Sequence, residues 1–319
     1  MSTPDMGAHV LASSQWVNQH FPFFGDIGKT IAGWFSWLQV GKWFSALVDW
    51  ATNHLDPLFS FINDVLQWCV DSLTSVFLFL PALIFALILA LIAWGIRGVR
   101  FGIFAFLSLA LIVQMGQWKD AMNTLSLVLV ASVIAVVIGI PIGIASARSS
   151  TVSSIVKPIL DFMQTLPAFV YLIPAVSFFS IGSVPGVVAT VVFALPPGVR
   201  LTELGIRQVD KEMVEAGEAF GAPPMKILTR IQFPLALPTI MAGINQVIML
   251  SLSLVVIAGM VGAGGLGGVV YQAISNLDLV AGFEGGVAVV ILAIYLDRVT
   301  ASLGTRSPVA RAQKAAAKA

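Results

Sequence analysis

Long apolar segments follow one another along most of the chain after residue 75. Each is close to the length that crosses a bilayer as a helix, about 17–25 residues. Inside lipid only helices and closed barrels satisfy every backbone polar group, and a barrel would show short alternating segments. The pattern therefore predicts an all-α polytopic membrane protein with about seven spans. These are Phe77–Trp94, Phe101–Met115, Met122–Ala147, Phe162–Ile181, Val184–Val199, Pro238–Val261 and Gly285–Leu303.

Before residue 75 the pattern is that of an amphipathic helix. Apolar residues recur at helical spacing from Phe59 to Leu73, whereas Asn63, Gln67 and Asp71 fall on another face. Tryptophans are concentrated here, which suits a helical extension lying in the membrane interface. A small packed helical domain outside the membrane is the alternative. The predicted domains are the amphipathic region 1–75, the transmembrane domain 76–304 and a basic tail 305–319.

Composition supports a membrane protein and excludes several kinds of site. The chain is 58% hydrophobic and only 10% charged, whereas soluble domains carry about 25% charged residues. A net charge of +1 leaves no basic face for nucleic acid. The single cysteine, Cys69, excludes internal disulfides and cysteine-based zinc sites, and all three histidines precede the first span. We therefore predict no metal and no cofactor in this chain.

Basic residues near the span ends predict the orientation. When seven spans are threaded in order, nearly all of these residues fall on one side, and the opposite loops hold only Lys119. The positive-inside rule then places the C-terminus in the cytoplasm and the N-terminus outside. The residues on the cytoplasmic side are Arg97, Arg100, Arg148, Lys157, Arg200, Arg207, Lys211, Lys226, Arg230, Arg298, Arg306, Arg311, Lys314 and Lys318.

The longest cytoplasmic loop, about residues 200–237, has a helix-forming pattern followed by prolines. Glu212, Ala216, Ala219 and Phe220 are spaced as on one helix face. Gly221 is expected to end this helix, since Pro223 and Pro224 prevent its direct continuation. A second short helix, Met225–Gln232, is expected to run up to Pro234. The segment is either a solvated connection or a helix that fits a groove in a partner.

This loop resembles the EAA motif of permease subunits in binding-protein-dependent ABC importers. That motif reads E-A-A, three residues, G, nine residues, I-x-L-P, and the chain has Glu215-Ala216-Gly217, Gly221 and Ile231-Gln232-Phe233-Pro234 at this spacing. Gly217 and Phe233 depart from the pattern but stay small and apolar, respectively. The resemblance implies a coupling helix that sits in a cleft of a cytoplasmic ATPase. The residues it assigns to coupling are Glu215, Ala216, Gly217, Ala219, Phe220, Gly221 and Pro223.

Three further stretches are similar to the permeases of glycine betaine/proline betaine importers. They are QTLPAFVYLIP (164–174), VPGVVATVVFALPPGVRLTELGIRQV (184–209) and LPTIMAGINQVIMLSLSLVVIAGMVGAGGLG (237–267). ILAIYLDRVT (291–300) matches the C-terminal end of those permeases. The similarity implies the type I importer transmembrane fold in a bacterial inner membrane, with choline or carnitine as alternative substrates.

The same resemblance implies the partners. They are a cytoplasmic ABC ATPase that binds ATP and Mg, an extracytoplasmic substrate-binding protein and a second copy of the chain. A second copy is expected because each chain carries one coupling helix and the ATPase works as a dimer. The chain has no G-x-x-x-x-G-K-[ST] motif, so energy must come from another subunit.

Polar and aromatic residues within the spans are candidates for the translocation path. Their alternative role is hydrogen bonding between helices. Aromatic faces could also contact a quaternary ammonium group, for which Phe169, Tyr171, Phe178 and Phe179 are candidates. We expect no ionisable residue in the middle of a span. The polar candidates for the path are Gln164, Tyr171, Asn245, Gln246, Ser251 and Ser253.

Other functions fit the sequence less well. Residues 262–267 match G-x-G-x-x-G, but a dinucleotide site needs a preceding strand and here a span precedes it. Close backbone packing or a bend is the expected role of these glycines. An uncoupled channel has no use for the pattern of residues 215–234. A membrane-embedded enzyme would need clustered catalytic side chains, which the spans do not carry.

The predicted orientation can be tested at Ser36. In a Ser36→Cys variant whose native Cys69 is replaced by serine, a membrane-impermeant thiol reagent should label intact cells from outside. The reason is the placement of the N-terminal region opposite the basic loops. Labelling only from the cytoplasmic side would contradict this topology.

Overall fold

Helices make up nearly all of the described chain. The computed structural model describes residues 40–305, with side chains described for residues 41–302. A π-helical turn, Leu228–Gln232, and a 3-10 turn, Gly259–Val261, lie at the two ends of α10. The α-helices are α1 (Val40–Leu78), α2 (Ala82–Arg97), α3 (Val99–Gln114), α4 (Trp118–Arg148), α5 (Ser150–Thr165), α6 (Ala168–Phe179), α7 (Ser183–Arg207), α8 (Lys211–Ala219), α9 (Pro224–Ile227), α10 (Phe233–Ala258), α11 (Gly265–Asn276) and α12 (Leu279–Thr305).

The chain forms two compact units, Met1–His54 and Leu55–Ala319. In the first, the imidazole of His54 stacks on the ring of Trp50 with 5.0 Å between centroids. Ser36 lies outside the described residues. In the second unit, the predicted apolar face of α1 is the more buried side of the helix. Leu66 on this face is buried, whereas Trp68 is 69% exposed. The predicted domain boundary near residue 75 remains a prediction.

The structure confirms the all-α polytopic class and refines the count of spans. Among the described residues, four helices are long and apolar enough to cross a membrane: Trp118–Arg148, Ser183–Arg207, Pro224–Val261 and Leu279–Ser302. The number rises to at most six if each of two bent pairs is one span: Gly41–Leu78 with Ala82–Arg97 at 99°, and Ser150–Thr165 with Ala168–Phe179 at 98°. Helix α3 covers the predicted second span but has only 16 residues.

The predicted start of the fourth span is wrong. Phe162 to Thr165 belong to α5, and the chain turns before α6 begins at Ala168. The bend lies at Leu166 and Pro167, where Leu166 is extended with ψ of 134°. The proline ring disfavours the helical conformation in the residue before it, and hydropathy alone could not locate this break.

Glycines allow α7 to pack closely between α4 and α10. A Cβ atom on Gly143 of α4 would lie 2.6 Å from the Cβ of Thr202 on α7. One on Gly243 of α10 would lie 2.9 Å from the Cβ of Leu201. Small residues at such crossings let backbones approach, which is how helices associate where lipid provides no hydrophobic driving force. Gly139, Gly198 and Gly205 have close neighbours across the same two interfaces.

The helices on both sides of the predicted loop 200–237 extend further than the sequence predicted. Helix α7 continues past Val199 to Arg207, and a helical segment resumes at Pro224. The predicted separate helix ending at Pro234 is wrong, because Met225–Gln232 lies within a helical run that continues into α10. The π-helical turn accommodates Pro234: the N–H of Phe233 bonds the carbonyl of Leu228, five residues back.

The two ends of α7 mark opposite ends of the helix bundle. Its 25 residues span about 37 Å at 1.5 Å per residue. At the N-terminal end, the hydroxyl of Ser183 donates to Oε1 of Gln67 on α1, 2.7 Å away. The C-terminal end carries Arg207 and leads directly to α8. Residues 55–78 of α1 therefore pack at the end of the helix bundle opposite to α8.

The glycine-rich segment after α10 is a tightly packed turn. A Cβ atom on Gly267 would lie 2.3 Å from the carbonyl oxygen of Val256, and one on Gly259 would lie 2.1 Å from the carbonyl carbon of Gly267. The N–H of Leu266 donates to Oγ1 of Thr124 at 2.8 Å, which joins the turn to α4. The interpretation as close backbone packing is confirmed.

This packing predicts a difference between two adjacent glycines. Gly267→Ala places a methyl group against the Val256 backbone and should cost about 1–3 kcal/mol, as overpacking does. Gly268→Ala is the matched control, because a Cβ at Gly268 meets no described atom within 4 Å. We expect Gly267→Ala to reach the membrane, to transport more slowly and to unfold at lower temperature in detergent. Equal melting temperatures for the two variants would contradict this account.

Candidate functional site

Helix α8 is a short polar helix that begins with a side-chain cap. The carboxylate of Asp210 accepts the N–H of Glu212 at 3.1 Å. An aspartate at this position satisfies one of the free N–H groups of the first turn and is favourable near the positive end of the helix. The cap fixes where α8 starts, only three residues after α7 ends.

Helix α8 ends at Gly221, as predicted. Gly221 has φ of +73°, a left-handed conformation that glycine adopts without strain. Its N–H bonds the carbonyl of Glu218 at 2.8 Å, and the N–H of Ala222 bonds the carbonyl of Gly217 at 3.1 Å. These two bonds form a Schellman motif. Pro223 then continues in an extended conformation and precedes the first residue of α9.

The helix face predicted for α8 is exposed. Glu212, Ala216, Ala219 and Phe220 are all exposed, and Phe220 has 91% of its surface accessible. Covering this ring with a partner would remove apolar surface from water, which is favourable. The arrangement presents two small residues beside one large aromatic ring, a shape suited to a cleft.

The opposite face of α8 packs against the helical segment that follows. Gly217 is buried, and a Cβ atom there would lie 2.8 Å from Cδ1 of Ile231 and 3.4 Å from Cγ1 of Ile227. Glycine therefore allows α8 to approach this segment closely. The nearest atom is the end of a flexible side chain, so the alanine that the EAA motif has at this position could be accommodated by a small shift.

A polar cavity of about 320 Å³ separates α8 from the end of α7. Arg207 and Lys211 line it together with Glu215, Glu218 and Gln232. Glu215 therefore lies at the edge of the exposed face, on the side towards α7. The predicted coupling residues fall into three groups: Ala216, Ala219 and Phe220 on the exposed face, Glu215 at the cavity, and Gly217, Gly221 and Pro223 in the packing and the turn.

A buried carboxylate connects α7 to its neighbours just before α8. Oε1 of Glu203 accepts the hydroxyl of Ser153 at 2.7 Å and lies 2.9 Å from Nε of Arg207 and 3.5 Å from Nζ of Lys157. Nη2 of Arg207 also donates to the carbonyl oxygen of Ser146 on α4, at 2.7 Å. We call Ser153, Lys157, Glu203 and Arg207 the Glu203 cluster. It ties together α4, α5 and α7.

Sequence reasoning missed the Glu203 cluster. The signal available was Glu203 four residues before Arg207, the spacing of an ion pair on one helix. It was overlooked because the fifth span was ended at Val199 and the following residues were treated as loop. The contact with Ser153 joins residues 50 positions apart, which no local pattern reports.

The six residues predicted for the path do not form one surface. Gln164, Gln246 and Ser253 are exposed, whereas Tyr171 and Ser251 are buried. Ser251 Oγ has no hydrogen-bond partner among the described residues. Asn245 faces α12: its Nδ2 donates to Oδ1 of Asp297 at 3.0 Å, and its Oδ1 accepts the hydroxyl of Thr300.

Two expectations about the spans need correction. Asp297 lies within the predicted seventh span and is hydrogen-bonded there, so an ionisable residue is present in a span. The four candidate aromatics also do not converge. Tyr171 packs edge-on against Phe193 at 6.0 Å, whereas Phe178 stacks on Phe59 of α1 at 4.6 Å. The first error could have been read from the sequence, because Asp297 lies inside the predicted span Gly285–Leu303. The second depends on which way each helix face turns in the bundle, which composition does not determine.

Comparison with known proteins places the chain among transport components. A family profile described as "Binding-protein-dependent transport system inner membrane component" matches residues 139–306. The glycine betaine/proline betaine transport system permease protein ProW of Escherichia coli (strain K12) is 46% identical over 302 residues, covering 94% of this chain and 84% of that protein.

A second relative and a solved structure agree with this placement. The glycine betaine/carnitine transport permease protein GbuB of Listeria monocytogenes serotype 1/2a is 48% identical, covering 85% of this chain and 97% of that protein. A chain of the MetNI methionine ABC transporter in an inward-facing conformation superposes with a TM-score of 0.55, covering 59% of this chain and 94% of that chain. At 24% identity this likeness concerns the fold alone.

Proposed function

Because the chain belongs to the family of binding-protein-dependent transport system inner membrane components, we propose that it imports a quaternary-ammonium compatible solute, glycine betaine or proline betaine. The family makes the chain a non-catalytic permease subunit of an ABC transporter. The substrate is inferred from similarity over nearly the whole chain to permeases named for these solutes. Carnitine is the second candidate, because GbuB carries it in its name.

The exposed face of α8 is the structural observation that best supports an ATP-driven permease. Ala216, Ala219 and Phe220 are presented at the ends of two helices that cross the membrane, α7 and the Pro224–Val261 run. A cytoplasmic ATPase whose cleft receives this face would push on both helices when it binds ATP and Mg and closes. An uncoupled channel does not need a surface that binds an ATPase.

The remaining partners follow from the same arrangement. One α8 per chain and a dimeric ATPase require a second copy of the chain, with the pathway between the two copies. An external binding protein delivers the solute and provides most of the affinity. The chain spans a bacterial inner membrane several times, with the C-terminus in the cytoplasm and the N-terminus outside. This orientation requires an odd number of spans, so α3 crosses the membrane in addition to the six candidates. The contact between Ser183 and Gln67, at the end of α7 remote from α8, supports this orientation.

We assign the pathway to one exposed stripe of α10. Ala242, Gln246 and Ser253 are exposed at intervals of four and seven residues, so they lie along one side of the helix. None of them is ionisable, which suits a zwitterion of zero net charge. Gln164, at the end of α5, is exposed as well. Asn245, Tyr171 and Ser251 have a structural role instead.

Substitution of Gly221 tests the coupling role of α8. A Cβ at Gly221 meets no described atom within 4 Å, so Gly221→Val acts only through the left-handed backbone and should cost about 1–2 kcal/mol. We expect the variant to reach the membrane and dimerise, while ATPase association and solute-stimulated hydrolysis decrease together. Gly221→Asn is the control, since asparagine tolerates this conformation. Normal stimulated hydrolysis in Gly221→Val would show that α8 is not the coupling element.

Uptake into proteoliposomes tests the substrate. The complete complex with its binding protein should accumulate labelled glycine betaine only when ATP is enclosed with the ATPase. Unlabelled proline betaine should compete, whereas an excess of choline should compete weakly. Strong competition by carnitine would favour the second candidate. Uptake that needs no ATP would indicate a channel.

A further inference from the structure

Helix α5 is held against α7 along one face and is apolar on the other. Ser153 and Leu160 are buried against the bundle. On the opposite side Ile155, Ile159 and Phe162 are each more than half exposed. Helix α5 is bent by 98° from α6, and its apolar side faces away from the bundle. Its attachment to the bundle therefore depends on the side that carries Ser153 and Leu160.

The attachment is concentrated on one carboxylate. The side chain of Glu203 is only 7% exposed, and both of its contacts to α5, from Ser153 and Lys157, go to the same oxygen. A second link, between Arg200 and Asp161, is formed by exposed side chains and is worth little by itself. A buried carboxylate needs its donors, so separating α5 from α7 would leave Glu203 with Arg207 alone.

The Glu203 cluster lies where force from α8 would enter the bundle. Arg207 is the last residue of α7, and α8 begins at Lys211. At its other end α5 leads through Leu166 and Pro167 into α6. Helix α5 is thus the element that connects the α8 end of α7 to α6.

We propose that Glu203 is a positioning residue that locks α5 to α7, so that displacement of α8 is passed through α5 to α6. This inference rests on the proposed function. It assigns to the Glu203 cluster the link between ATP hydrolysis and movement of solute. When the lock is weakened, the ATPase still closes on α8, but α6 no longer follows, and ATP is hydrolysed without import.

The test removes the donors on α5 and keeps Glu203 paired. Ser153→Ala combined with Lys157→Gln leaves the 2.9 Å contact between Arg207 and Glu203 intact. Ser154→Ala, at an exposed position beside Ser153, is the matched control, and Lys157→Arg is the conservative variant. Each is reconstituted with the ATPase and the loaded binding protein, and solute accumulated and ATP hydrolysed are measured in the same vesicles.

We expect the double variant to retain most of its stimulated hydrolysis while the solute moved per ATP falls about fivefold or more, the size of a typical coupling between sites. Ser154→Ala and Lys157→Arg should keep the parent ratio. If the double variant moves as much solute per ATP as the parent protein, the proposal is overturned. If the double variant is lost from the membrane, Ser153→Ala alone decides by the same ratio, because it removes one hydrogen bond only.

Failure of this inference can be told apart from failure of the proposed function. Lost stimulation in Gly221→Val together with an unchanged ratio in the double variant would overturn only the role of Glu203. Normal stimulation in Gly221→Val would overturn the coupling role of α8 itself. As a further check, cysteines at Asp161 and Arg200, joined by a short crosslinker in the double variant without Cys69, should restore the ratio. Loss of transport on crosslinking would show that α5 and α7 must separate.

Discussion

Hydrocarbon offers no hydrogen-bond partner, and this constraint governs the arrangement of the whole chain. It requires helices, because only they satisfy their own backbone groups. It also removes the hydrophobic driving force between helices, so association depends on close contact. Helix α7 meets the requirement through glycines on itself and on both neighbours, such as Gly143 on α4 and Gly243 on α10. Charged groups are paired near the α8 end of α7, where Glu203 and Arg207 form their cluster.

Helix α8 is held by the two membrane helices that flank it. The backbone of α7 remains helical for eight residues beyond Val199, about 12 Å at 1.5 Å per residue. Three residues then connect it to α8, and Gly217 packs α8 against the helical segment on the other side. Helix α8 is therefore fixed at its start by the Asp210 cap and along its inner face by Ile231. A force on Phe220 is therefore transmitted to α7 and α10 together.

Features that are local in sequence could be predicted, and those that depend on tertiary contact could not. The helical class follows from apolar length, and the end of α8 follows from Gly221 and the prolines after it. The helix face around Phe220 follows from spacing. The end of α7 was misplaced because hydropathy reports where lipid contact ends, not where backbone hydrogen bonding ends. Partners such as Ser153 and Glu203, or Asn245 and Asp297, are 50 or more residues apart and are brought together only by the fold.

Adjacent residues on α10 show why polarity alone does not identify a pathway. Asn245 is satisfied by Asp297 and Thr300, whereas its neighbour Gln246 is exposed, about 100° further round the helix. An amide facing hydrocarbon would lose its hydrogen bonds to water, and such a loss costs several kcal/mol for a polar group in a fully apolar medium. The side of α10 that carries Gln246 and Ser253 is therefore better suited to water or a second copy of the chain than to lipid. Exposure of a polar residue within a span is thus a stronger indication of the pathway than its chemical type. By this criterion Gln246 qualifies, whereas Asn245 does not, and Ser253 is a weaker case because its hydroxyl donates to the carbonyl of Met249 at 3.1 Å.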